Sequence, residues 1–131
     1  MNENNFIYEI TSKYNIKETI EELEKSLSNI KFGILAKLDL GEKMRSKNIK
    51  YSNSLYAFEV CNPIHASNVL SLQSNIKFLL PCKITVSSDD DNRVTVGMVD
   101  FTMFDEMFEG ETKKVALLIM KELKKQDFSG Q

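Results

Sequence analysis

Three side chains in this 131-residue chain have the chemistry of a soft nucleophile or metal ligand: Cys61, Cys82 and the single histidine, His65. Each cysteine stands near a proline, in Cys61-Asn62-Pro63 and in Pro81-Cys82. Asn followed by Pro is a helix-start pattern, with Asn as the N-cap and Pro at the first helical position. A thiolate at such a helix start has a lowered pKa and becomes a better nucleophile or ligand. His65 falls in the first turn of the same helix. Cys61, Cys82, His65 and Asn62 therefore form a candidate thiol site, suited to redox, sulfur-handling or soft-metal chemistry. If the strand ending at Cys61 pairs antiparallel with the one beginning near Cys82, both thiols lie at one end of the sheet. A disulfide then needs their Cα atoms within roughly 4.4–6.8 Å. Parallel pairing would put them at opposite ends. The competing reading is structural, because free cysteine is among the most buried residue types and packs as a small hydrophobe.

Other chemistries are disfavoured. A structural zinc site takes four Cys/His-type ligands, and only three such side chains exist. No G-x-S-x-G elbow accompanies His65, and the five glycines (Gly33, Gly41, Gly97, Gly110, Gly130) stand too far apart for a phosphate-cradling loop. The run Asp89, Asp90, Asp91, Asn92 lacks the glycine and distal glutamate of an EF-hand and reads as a turn. No metal, cofactor or catalytic residue is expected. A net charge of -2 and a pI near 5.5 argue against a nucleic-acid footprint, which needs a clustered basic surface. The longest apolar run, residues 115–120, falls far short of the roughly 20 residues that span a bilayer. With no signal-peptide pattern at the start, the expectation is a cytoplasmic protein without membrane association.

The elements that position these residues follow from hydrophobic period. Residues 6–11 alternate, with Phe6, Tyr8 and Ile10 on one face. Asn15 with Glu18 forms a capping box, and Ile16, Ile20, Leu23, Leu27 and Ile30 make the apolar stripe of a helix. Period two returns at 32–38, placing Phe32, Ile34, Ala36 and Leu38 together. Leu40 and Met44 suit a short helix. Residues 54–61 form a third strand, ended by Pro63, with a short helix to about residue 73. Strands at 83–87 and 94–98 flank the Asp-rich tip as a hairpin. Phe101, Phe104, Met107 and Phe108 mark a short aromatic helix, and Met98, Met103 and Met107 among them read as core. Val115, Leu118, Ile119 and Leu123 mark a final helix from about Glu111 or Thr112, with Lys121, Lys124 and Lys125 in its last turns; residues 128–131 are expected to fray.

Short connections favour antiparallel neighbours, so residues 1–131 read as one α+β domain, a two-layer sandwich with a mainly antiparallel five-stranded sheet and its helices on one face. Ile7, Leu35, Leu55 and Ala57 then sit on the other, polar-leaning sheet face. A contiguous apolar set there would mark a partner surface, and a homodimer is expected on that ground.

Between residues 32 and 96 the pattern is familiar. Phe32-Gly33-Ile34-Leu35, Leu38-Asp39, Lys43-Met44 and Lys47-Asn48-Ile49 make its first half. Glu59-Val60-Cys61-Asn62-Pro63, Ala66, Leu70 and Leu79-Leu80-Pro81-Cys82-Lys83-Ile84 make its second. The chain resembles the family known as domain of unknown function 302. Where the family's hairpin is usually followed by an Asp-Pro-like element, Val99-Asp100-Phe101 keeps the acid and lacks the proline. The resemblance implies a β-α-β-β-β-β-α core similar to the TATA-binding-protein-like class, and homodimers. It implies no reaction, and similarity of fold carries no DNA binding with it. Two readings of function stand: a non-enzymatic dimeric binding or interaction module with an unknown small-molecule ligand, or a thiol-dependent protein using Cys61 and Cys82. A hydrolase built on His65 ranks behind both.

Overall fold

The computed structural model describes residues 6–103 and 105–125, with Met103 and Asp105 described by backbone only. Phe104, the Met103 side chain and residues 128–131, all read from sequence above, lie outside the described residues. In chain order the elements are β1 (Ile7–Ser12), α1 (Ile16–Asn29), β2 (Gly33–Asp39), α2 (Leu40–Ser46), β3 (Leu55–Cys61), α3 (Pro63–Leu72), β4 (Cys82–Ser88), β5 (Val94–Val99) and α4 (Gly110–Lys124). Short 3-10 segments at Ser74–Phe78, Phe101–Met103 and Asp105–Met107 fill the connections. Among the described residues no helix is long and apolar enough to cross a membrane.

Local chemistry sets the boundaries. The Asn15 side chain accepts from the Glu18 N–H at 2.8 Å and starts α1. Its apolar stripe ends where the Lys31 N–H returns to the Ser28 carbonyl and the Phe32 N–H to the Leu27 carbonyl. That double closure holds Lys31 at φ 68°, a left-handed residue of the kind glycine ordinarily supplies. Asp39 caps α2 and Asn62 caps α3, with Pro63 in its first turn.

The sheet is antiparallel throughout, in the order β1-β5-β4-β3-β2. Its register lines up Phe58, Ile84 and Met98 across three strands, and Val86, Val96 and Ile10 across another three. These face the helices. One core cluster joins Leu23 and Leu27 of α1, Phe58 and Val60 of β3, and Ile119 and Leu123 of α4. Each such side chain contributes about 1.5–3 kcal/mol over an exposed position. The α+β sandwich read from the sequence is the fold.

One strand departs from its expected phase. Between Ile34 and Ala36 the β2–β3 register shifts, a bulge that inserts Leu35. Ile34 stays opposite Val60 on the core side, but Ala36 and Leu38 fall opposite Glu59 and Ala57. The expected grouping of Ile34 with Ala36 and Leu38 on one face is therefore corrected: the extra residue turns the pleat by one step.

Two buried polar groups tie the ends together. The Asp100 carboxylate, at the exit of β5, accepts from the Thr102 N–H and hydroxyl and from the Lys124 ammonium of α4. The same lysine lies over the Tyr8 ring at 5.3 Å. Burial works to raise the Asp100 pKa, but the hydrogen bonds from Lys124 and Thr102 outweigh it and hold the carboxyl below the usual range. The Gln73 amide donates to the Met107 carbonyl at 2.6 Å and accepts from the Glu109 N–H at 2.9 Å, fixing the stretch between α3 and β4 against the start of α4.

Candidate functional site

Antiparallel pairing of β3 with β4 brings both cysteines to one end of the sheet, as the sequence suggested. Val60 stands opposite Cys82, and Cys61, one residue on, stands opposite Gly33 of β2. Because side chains alternate along a strand, Cys82 shares the core pleat with Val60 and Cys61 occupies the other pleat. Both are free and partly buried. With Phe32, His65, Val69 and Ile119 they border an apolar gap of about 20 Å³, room for one water at most. Burial, with a smaller contribution from Cys61, pushes the Cys82 thiol up to about 11. That keeps it protonated at neutral pH, the reverse of what nucleophilic or metal-binding sulfur requires.

The other two residues of this neighbourhood are engaged in holding helices. The Asn62 side-chain oxygen accepts from the Ile64 and His65 N–H groups at 3.0 and 3.2 Å, and its amide donates to the Ile30 carbonyl. His65 Nε2 lies 2.9 Å from Glu122 Oε1, joining α3 to α4, and its ring centroid is 6.2 Å from that of Phe32. Among the described residues no three His, Cys, Asp or Glu side chains gather closely enough to hold a metal ion.

The second candidate is the sheet face opposite the helices. Ile7, Leu55 and Ala57 belong to its pleat, and Leu35 is the bulge residue, with no partner across the ladder. They do not form one patch. Ile7 is on edge strand β1 beside Val99, four strand spacings, about 19 Å, from β2. Between lie the small or polar Thr85, Ser87, Thr95 and Gly97. Leu38, missed in the sequence, is carried outward by the bulge and lies diagonal to Leu55 across the β2–β3 ladder, while Leu35 lies further along it, level with Glu59 and Val60. Leu35 is 64% exposed and Leu38 43%. Ala57 is corrected as a surface residue: flanked by Leu38 on one side and Thr85 on the other, its short side chain is only 2% exposed. Val99, 44% exposed beside Ile7, was also missed, because its alternation is legible only once its partner strand is known.

The family model described as Domain of unknown function DUF302 matches residues 8–126. The chain belongs to this family. The crystal structure of an uncharacterized conserved DUF302 protein from Bacillus stearothermophilus is similar, with a TM-score of 0.87 and 33% identity over 92% of this chain and 94% of that one. No curated protein matches. The DUF302 membership accounts for the antiparallel sheet and its helical cover, and the family's name assigns it no reaction.

Proposed function

We propose that this DUF302 chain is a non-enzymatic interaction module that works as a homodimer, packing sheet against sheet through Leu35, Leu38 and Leu55. The observation that carries the reading is the asymmetry of the sandwich: α1, α3 and α4 contribute to one core on one face, while Leu38 and Leu55 stand diagonal to each other on the other face and the exposed bulge residue Leu35 lies further along the same β2 edge. Two-fold association lets the same patch cover itself, and sheets pack face to face at about 10 Å. The thiol reading has less behind it, since the sulfurs occupy opposite pleats and Cys82 is held protonated.

Light scattering coupled to size exclusion tests the proposal. The wild type should run at twice the 15.0 kDa chain mass. Leu38→Glu, at an exposed position, should run at the chain mass with unchanged circular dichroism. A monomeric wild type, or a variant still fully dimeric, overturns it.

A further inference from the structure

The sheet parts at one end. The β4–β5 ladder runs from Ser88 opposite Val94 to Ile84 opposite Met98 and stops there. Beyond that pair β4 stays with β3, Lys83 opposite Glu59 and Cys82 opposite Val60, while β5 stays with β1, Val99 opposite Ile7. The divergence opens a groove of about 260 Å³. Cys82 and Lys83 line it from β4, Met98 and Val99 from β5, Met120 and Leu123 from α4. Past Leu79, Cys82 and Phe101, which border both, lies a smaller apolar cavity of about 40 Å³.

The groove is apolar at its floor and cationic at its mouth. Lys83 is exposed and makes no ion pair among the described residues, Glu59 across the ladder included. Phe78, which lines the groove, is 80% exposed, and the ammonium of its neighbour Lys77 lies 5.4 Å from its ring centroid. The carboxylate of Asp100, between groove residues Val99 and Phe101, is already neutralised by Lys124. Ligand sites combine a mostly apolar lining with a few polar groups that fix orientation, and typical ones span about 300–1,000 Å³. A groove slightly below that range suits a small ligand.

We propose that this groove binds a medium-chain alkyl carboxylate, its chain against Met98, Phe101 and Leu123 and its head group on Lys83. The inference does not rest on the self-association proposed above.

Calorimetric titration of the full chain with decanoate tests it, with decanol and decylamine as head-group comparisons. Decanoate should saturate at one per chain, and amide and methyl shifts should localise to Phe78, Met98 and Leu123. Lys83→Glu should weaken decanoate at least tenfold, whereas Lys50→Glu, outside the groove, should not. Absence of saturable decanoate binding, shifts elsewhere, equal affinity for decylamine, or indifference to Lys83→Glu each overturns the proposal. Decanoate binding by the Leu38→Glu variant separates the two ideas: the groove can be occupied with the sheet-face association lost, and the association can persist with the groove empty.

Discussion

Replacing Asp100 by alanine should destabilise the protein by about 3 kcal/mol. Removing one partner of a buried ion pair ordinarily costs about 3–5 kcal/mol, because the other charge is stranded. Here the two partners differ: the Asp100 side chain is 3% exposed and that of Lys124 37%. The lysine can turn to water, which sets the cost at the low end of that range. The Thr102 N–H and hydroxyl lose their acceptor as well. For a chain of this size the loss should lower Tm by about 10 °C. Asp100→Asn preserves the acceptor for Thr102 and removes only the charge, so about half the effect is expected. The pH dependence has a definite sign. A carboxyl whose native pKa is lowered adds stability above its unfolded value, near 3.9, and loses it as pH falls through the lower native value. The gap between wild type and Asp100→Asn should therefore narrow below about pH 4. Urea unfolding across pH 7 to 3, in a double-mutant cycle with Lys124→Met, reads both quantities, and a coupling of about 1–3 kcal/mol is expected. A cost for Asp100→Ala under about 0.5 kcal/mol, or an additive cycle, would refute the claim that this pair joins β5 to α4.

Two further outcomes follow from single positions. Lys31 sits at φ 68° in the closing turn of α1, so Lys31→Gly should stabilise by about 1 kcal/mol in urea unfolding, the left-handed strain removed exceeding the added chain entropy; a destabilised variant would contradict this. With Cys82 raised to about 11, on the order of one molecule in a thousand or fewer carries its thiolate at pH 7.5, so in a Cys61→Ser background iodoacetamide should label it slowly, by mass spectrometry, and accelerate only as pH approaches 11. Rapid labelling at neutral pH would show that burial does not govern this sulfur and would revive the thiol reading.

The elements and their caps are legible in the amino-acid order alone. The Asn15–Glu18 box, the stripe from Ile16 to Leu27, Asn62 before Pro63 and the Asp-rich tip are all local, written in hydrogen bonds and side-chain periods spanning a few residues. Antiparallel pairing of β3 with β4 was one of two arrangements open in the sequence, because residues 62–81 between them carry a helix, and the ladder decides it and brings both cysteines to one end of the sheet. The direction in which the critical side chains face depends instead on pairing between distant segments. The bulge at Leu35 answers to hydrogen bonding with β3 and turns Leu38 outward, a choice no period within β2 records. A register in which Cys82 meets Val60 rather than Cys61 separates the two sulfurs onto opposite pleats. Lys124 finds Asp100, and β4 leaves β5 after Ile84, through contacts between segments far apart along the chain. A side-chain period of two makes a one-residue difference in pairing reverse every face, so the composition of the surface and of the groove rests on long-range pairing.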